Sequence, residues 1–369
     1  MSSLQSLKYR LFPTHKQAQA LAQALDACRW VDNKTLEVRK TAWEDAQRSI
    51  SYYETKRYLP QWKAAHPWLD AAHSQVLQNV TERVALAFKA FFRRVKAGDE
   101  PGYPRFRGRD RYDSLTYPQY GNGCQMADDT LKLSKVGAVR IKAHRPLEGT
   151  PKTCTIRRTS TGKWYATIAC EVEPQPLPER PQETGLDVGL SYFYTLSDGT
   201  PTPCPRFLRR DEKDLQRTQR QLSAAPQGTA ARARRRKIVA RVHERIAHRR
   251  TNCCHQERRR LVDQYGFIAV EDLSVNQMVH NHCLAKGILD AAWSQLTAFL
   301  SYKAAYAGRQ YVAVNPAYTS QDCSQCGHRQ RLTLSDRVYH CPCCGLTLDR
   351  DHNAALNILR LGRQALASA

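Results

Sequence analysis

Two pairs of cysteines, Cys323-x-x-Cys326 and Cys341-x-x-Cys344, separated by residues 327–340, constrain this chain more than any other feature. Each pair is followed by a glycine, Gly327 and Gly345, which suits the tight backbone turn of a metal-binding knuckle. Four thiolates on two such knuckles match the tetrahedral coordination of zinc. Reduced thiols in a loop would not explain the paired spacing. Cys343 lies inside the second pair, too close to Cys341 for the usual knuckle. The spacing therefore assigns Cys323, Cys326, Cys341 and Cys344 as zinc ligands and leaves Cys343 aside. A closed four-ligand site has no open position for a substrate, so this zinc is structural and any chemistry needs other groups.

Charge narrows the partners. Lys and Arg number 57 against 34 Asp and Glu, a formal net charge of +23 over 369 residues. With 41 % hydrophobic residues the chain can bury cores, and so much charge on a folded protein implies a polyanionic partner. Nucleic acid ranks ahead of an anionic membrane, which usually needs an apolar anchor beside the basic cluster. No run of about 18 apolar residues exists to span a bilayer, and the start, MSSLQSLKYRLFPTHKQ, lacks the apolar core of a signal peptide. The expectation is a cytoplasmic protein with no membrane partner, whose 13 cysteines are not a disulfide framework.

Periodicity outlines the organisation. QSLKYRLF (5–12) alternates as a strand, and residues 14 to about 97 are helical, beginning after a Thr cap. Residues 99–123 are rich in Pro, Gly, Arg and Tyr, and short alternating runs up to about 173 predict antiparallel hairpins. A helical block thus interrupts a small barrel or sheet. QPLPERPQ (175–182) is a linker. Beyond it, TGLDVGLSYFYTLSDG predicts a strand, a turn and a strand, and 209–264 a basic helical stretch. FIAVE and RQYVAV predict further strands, with one helix from Asp290 to Gly308 between them. Strands alternating with helices argue for an α/β sheet.

Three acids stand out by position: Asp187 in the apolar GLDVGL, Glu271 closing FIAVE, and Asp351 before the last helix. Carboxylates at the carboxyl ends of neighbouring strands can converge, and such a cluster binds two Mg²⁺ ions suited to in-line attack on a phosphodiester. Each acid alone has a plainer reading: Asp351 as a helix N-cap, Glu271 as a strand end, Asp187 least readily because it interrupts an apolar run. Spacing alone does not make the three a triad.

GLDVGL, FIAVEDLSV, NPAYTSQDCSQCGH and YHCPCCGLTLDRDHNAALNIL resemble the RuvC-type nuclease of TnpB proteins from bacterial insertion sequences. The resemblance covers roughly 184–360 and reaches the first half more weakly through KYRLFP, AFKAFFRRV and PRFRGRDRYDSLTYPQ. It implies a multidomain α+β protein. An N-terminal β-barrel (wedge; 1–13 and 99–176) would carry an inserted helical recognition domain (14–98). An RNase H-like/RuvC α/β nuclease domain (183–318 and 346–369) would follow, with an inserted zinc ribbon (319–345). It also implies that Asp187, Glu271 and Asp351 are catalytic and bind Mg²⁺, while Asp349 makes local hydrogen bonds. The implied activity is cleavage of double-stranded DNA. It would be directed by a guide RNA from the transposon end and by a short target-adjacent motif, with one protein copy per RNA. A nuclease-inactive RNA-guided repressor and a miniature type V CRISPR effector are the alternatives.

Nucleic-acid contacts are expected in two basic segments. Residues 231–260 hold 11 Arg and one Lys against Glu244 and Glu257, with Ile238, Val242 and Ile246 as a narrow apolar stripe. Arg234, Arg235 and Arg236 would lie on phosphates. PRFRGRDRYDSLTYPQY mixes Arg105 and Arg107 with aromatic rings suited to stacking. Through the resemblance to a motif-reading helical domain, Ser74, Gln78, Thr116 and Gln119 become candidates for reading base edges.

Overall fold

The computed structural model describes residues 3–333 and 335–368. The chain divides into two compact units, one ending at Glu173 and the other beginning at Pro174.

The first unit opens with β1 (Ser3–Phe12), whose alternation buries Leu7, Tyr9 and Leu11 and leaves Lys8 and Arg10 over the Tyr165 ring. Thr14 then starts α1 (His15–Ala46) through a reciprocal capping box with Gln17. The helical segment continues through α2 (Tyr52–Arg57), α3 (Leu59–Ala65) and α4 (Ser74–Lys96), and α4 docks on α1 at Leu36, Val84 and Phe88. Six strands follow: β2 (Ser114–Tyr117), β3 (Cys124–Ala127), β4 (Thr130–Leu133), β5 (Gly137–Lys142), β6 (Thr150–Arg158) and β7 (Trp164–Val172). They form one antiparallel sheet with β1 near its centre, in the order β2-β6-β7-β1-β5-β4-β3. The sheet is near-closed rather than a complete barrel. Its edges β2 and β3 are joined by residues 118–123 but share no ladder, and a barrel closes only when edge strands pair. The Tyr117 hydroxyl instead donates to the Ser134 carbonyl at 3.4 Å.

The second unit is built on β8 (Glu183–Val188), β9 (Tyr192–Leu196), β10 (Pro201–Pro203), β11 (Phe267–Glu271) and β12 (Gln310–Val314). The order is β10-β9-β8-β11-β12: β8, β9 and β10 form an antiparallel meander, while β8, β11 and β12 run parallel. The crossover from β10 to β11 holds α5 (Phe207–Ala224) and α6 (Ala230–Gln264). That from β11 to β12 holds α7 (Val275–Met278), α8 (His282–Ala291) and α9 (Trp293–Tyr306). The single helix expected from Asp290 to Gly308 is broken, because Ala292 takes a left-handed conformation (φ 58°) that ends α8, and α9 starts at the buried Trp293. After β12 come the cysteine-bearing insert, with its hairpin β13 (Val338–His340) and β14 (Thr347–Asp349), and then α10 (Arg350–Ala367). The hairpin ends at Asp349, so pairing within the insert runs past the boundary expected at residue 345.

Helix α10 covers one face of the sheet and α6, α8 and α9 the other. Along β11, Phe267 and Ala269 pack with Ile358 and Leu359, while Ile268 and Val270 join the opposite core with Leu261, Trp293 and Leu296. The α10 crossing is very close: a Cβ built on Gly185 would stand 2.1 Å from the Ala355 carbonyl oxygen, and one on Gly362 2.5 Å from the Ala269 Cβ. Gly185→Ala is expected to overpack this crossing and to cost the second unit about 3 kcal/mol. Urea unfolding followed by hydrogen exchange at the α10 amides measures it, and parental protection would show that the crossing relaxes freely.

Candidate active site and four-cysteine centre

Side chains alternate along a strand, and that period decides where two of the acids point. In the parallel pair β8–β11, Gly185 lies opposite Ala269 and Leu186 opposite Val270. One step further stand Asp187 and Glu271, at the carboxyl ends of strands about 5 Å apart. Gly185 and Ala269 face α10, so Asp187 and Glu271, two residues on, face it as well. The third acid comes from α10 itself. Asp349 is its N-cap and accepts from the Asp351 and His352 N–H groups at 2.9 and 3.2 Å. The capping role that its position suggested for Asp351 thus belongs to Asp349, and Asp351, in the first turn, is buried with its carboxylate turned to the sheet. A Cβ on Gly189, just after β8, would lie 3.8 Å from Asp351 Oδ2.

All three carboxylates line one cleft of about 450 Å³, with Thr319, Arg337 and Arg350 among its walls. Burial raises the Asp187 carboxyl well above its usual range, and the nearby charges of Glu271 and Asp351 push it further, against the opposing pull of Arg350. Burial also raises Glu271, against a 2.5 Å hydrogen bond donated by the Thr319 hydroxyl to Oε1. Arg350 stands 3.4 Å from Asp351 and also donates to the Thr333 carbonyl. Three crowded carboxylates make a hard, anionic oxygen donor set, which fits a divalent cation of the Mg²⁺ type. Sequence reasoning singled out neither Thr319 nor Arg350. Both lie inside stretches that carry the family resemblance, Thr319 in NPAYTSQDCSQCGH and Arg350 between two acids in TLDRDHNAALNIL, but no spacing there marks a role for either.

The Sγ atoms of Cys323, Cys326, Cys341 and Cys344 all lie within 4.8 Å of one another, two of the pairs at 3.6 Å. A tetrahedron with arms of about 2.3 Å has edges of about 3.8 Å, so these four sulfurs fit a zinc ion. Burial opposes ionisation of Cys341, but backbone N–H groups of Cys344 and Cys343 and the neighbouring thiols bring its pKa down to about 6. Cys343 is exposed and outside the cluster, and Tyr339 and Leu346 pack beneath it.

The nucleic-acid candidates divide. Arg234, Arg235 and Arg236 are exposed on α6, with Arg235 donating to Gln221 at 2.7 Å. Much of the remaining arginine on that helix serves the fold. Arg245 and Arg249 pair with Asp211 at 2.8 and 2.7 Å, and Arg250 holds Asp290, which also accepts from the Leu208 N–H at the start of α5. Arg260 bonds Thr202 and Glu257. Arg105 is exposed, while Arg107 is anchored by its backbone to the Asn33 side chain and lies 3.6 Å from Asp32. Thr116 is half-buried, and its hydroxyl pairs across the sheet with that of Thr155 at 3.0 Å. Ser74 is exposed and accepts from Lys63, Gln78 is half-buried one turn on, and Gln119 is tied to Gln75, a residue the sequence reading passed over.

Three stretches match described families: residues 1–48 "Helix-turn-helix domain", 167–282 "Probable transposase" and 293–358 "Cas12f1-like, TNB domain". Several relatives carry the name "Putative RNA-guided DNA endonuclease". The one from Streptomyces pristinaespiralis is 36 % identical over 98 % of this chain and 90 % of its own length. The chain belongs to the TnpB family of IS605-type transposon proteins. A second relative, InsQ of Escherichia coli (strain K12), is 32 % identical over 100 % of this chain and 94 % of its own. A chain of the solved Cas12f1-sgRNA-target DNA complex shares the fold, with a TM-score of 0.61 at 13 % identity over 97 % of this chain and 98 % of that one. In this TnpB-family chain the residues matched as helix-turn-helix hold β1 and one unbroken helix, α1. Among the described residues no helix is long and apolar enough to cross a membrane.

The crowded acids make stability depend on pH in Mg²⁺-free buffer. The folded-state pKa of Asp187 is raised, so its contribution is fully present below the unfolded value and is lost as pH rises through the folded one. Asp187→Asn removes the charge, so its melting temperature is expected to fall less than the parent's as pH rises from the ordinary carboxylate range through the raised folded-state value. Parallel thermal melts of the two zinc-loaded proteins check this, and equal slopes would contradict it.

Proposed function

We propose that this chain is an RNA-guided endonuclease that cuts double-stranded DNA in a Mg²⁺-dependent reaction at Asp187, Glu271 and Asp351. The observation that carries the reading is the convergence of these carboxylates in one cleft, in a chain whose full-length relatives are named RNA-guided DNA endonucleases. The strand order, with β8, β11 and β12 parallel and β9 and β10 antiparallel on the far side of β8, supports an RNase H-like nuclease of RuvC type. The first unit would hold the wedge and helical recognition domains, and residues 319–345 the zinc ribbon, whose hairpin pairing runs on to Asp349. The guide is an RNA from the transposon end, and a short motif beside the target is read by the protein. Bound Mg²⁺, two ions in all, would supply positive charge for the attacking water oxygen and the leaving oxygen in hydrolysis of the phosphodiester.

The chain's own residues supply the rest. Asp187 and Glu271 hold oxygens on one side of the cleft, and Asp351 faces them from α10. Thr319 orients Glu271. Arg350 and Arg337 place cationic groups on the cleft wall where a phosphate backbone would pass. Leu190, Leu273, Leu284, Ile288 and Trp293 make the opposite wall apolar and limit water. The closed cysteine cluster serves structure.

Asp187→Ala, Glu271→Ala and Asp351→Ala should each abolish plasmid cleavage while target binding by the RNA complex persists, since binding rests on guide pairing and backbone contacts. Asp349→Ala should be milder, losing about 1 kcal/mol of cap and with it part of the rate, and Asp349→Asn should restore the rate. Full cleavage by Asp351→Ala would overturn the assignment. Cys326→Ser should lose zinc by metal analysis, whereas Cys343→Ser should keep it. Replacing Arg234, Arg235 and Arg236 with Ala should flatten the salt dependence of RNA binding, and an unchanged slope would make this end of α6 a solvated face.

A further inference from the structure

Two asparagines tie the cysteine-bearing insert to the candidate active site. Asn353 and Asn357 are fully buried, one turn apart on α10. Asn353 accepts from the Ser324 N–H at 2.9 Å and donates to the Asp322 carbonyl at 2.8 Å. Asn357 donates to the carbonyls of Thr319 and Asp322 at 2.9 and 2.7 Å, and its Oδ1 accepts from Arg360 at 3.2 Å. A buried amide is costly unless its donors and acceptors are met. Asn353 meets both of its partners, and Asn357 the two carbonyls it donates to, on one short segment, 319–324, which therefore has one position relative to α10.

That segment joins two chemistries. At one end Cys323 enters the cysteine cluster. At the other the Thr319 hydroxyl lies 2.5 Å from Glu271 Oε1 and 3.1 Å from the Pro316 carbonyl. Its single proton goes to the carboxylate, the stronger acceptor. Glu271 sits at the end of β11 on a side chain with three rotatable bonds, and this hydroxyl holds it in one orientation. Asp351, Asn353 and Asn357 share one rigid helix, so the spacing from Asp351 through Asn357 and Thr319 to Glu271 is set by packed, hydrogen-bonded parts.

We propose that Thr319 and Asn357 are positioning residues, through which the folded cysteine ribbon sets the orientation of Glu271 relative to Asp351. This rests on the nuclease reading above. Thr319 acts on Glu271 through its hydroxyl, and Asn357 acts on Thr319 through its backbone carbonyl. The insert is then part of the metal-binding geometry of the cleft as well as a folded appendage.

The test uses the full-length, zinc-loaded protein with its RNA. Mn²⁺ affinity is measured by calorimetry, and the Mg²⁺ concentration for half-maximal plasmid cleavage is measured beside it. Thr319→Val keeps the shape and removes the hydroxyl. It is expected to weaken Mn²⁺ binding and raise the Mg²⁺ requirement by about tenfold or more, with zinc content unchanged. Thr319→Ser, which keeps the hydroxyl, should restore both. Asn357→Ala should shift both in the same direction and speed hydrogen exchange at residues 319–324. Parental Mn²⁺ affinity in Thr319→Val, or a Ser variant no better than Val, would overturn the proposal. If the parent fails to cut at any Mg²⁺ concentration while Thr319→Val still weakens Mn²⁺ binding, the positioning role stands and the nuclease reading fails.

Discussion

The close crossing of α10 over β8 and β11 is the contact on which the candidate site depends. It needs Gly185 and Gly362, because a methyl group at either would overlap its neighbour across the interface. With the helix seated there, its first turn comes level with the carboxyl ends of the strands. Asp351 then stands opposite Asp187 and Glu271, which the pleat has already turned to the same face. The glycines contribute little energy of their own. They permit the approach, and Ile358, Leu359, Phe267 and Ala269 stabilise it by burial.

The acid cluster works against that stability. Burial and mutual repulsion raise Asp187, and burial raises Glu271, so three carboxylates in one cleft are expensive without a counter-charge. Arg350 relieves part of the strain. A divalent cation would relieve the rest, which is the usual bargain at a metal site: structure is held ready at some cost and the ion repays it on binding.

Arginine has two uses in this molecule. A net charge of +23 suits a polyanionic partner, yet Arg245, Arg249, Arg250 and Arg260 on α6 are spent on Asp211, Asp290, Glu257 and Thr202. The planar guanidinium serves both roles because it makes several directed hydrogen bonds at once. Arg234, Arg235 and Arg236 stand exposed near the start of the same helix, on the face that the proposed function assigns to RNA.

Local chemistry was legible in the sequence. Cysteine spacing selects Cys344 over Cys343, since knuckle geometry depends on a few adjacent backbone units. The short apolar run FIAVE and the apolar frame around Asp187 mark strands covered on both faces, as in a parallel sheet. What needed the tertiary structure was everything set by contacts between distant segments. Helix α9 begins only after a left-handed Ala292, which no periodicity announces. Thr116 is drawn into a pair with Thr155, and Arg245 into ion pairs, by neighbours far along the chain. Asp349 and Asp351 read alike as acids before a helix. Backbone geometry at the turn assigns one to the cap, and the α10 crossing turns the other toward Glu271. Thr319, Asn353 and Asn357 fall inside the stretches that carry the family resemblance, but nothing in those stretches marks their role, which arises only where the insert, the strand end and the helix meet.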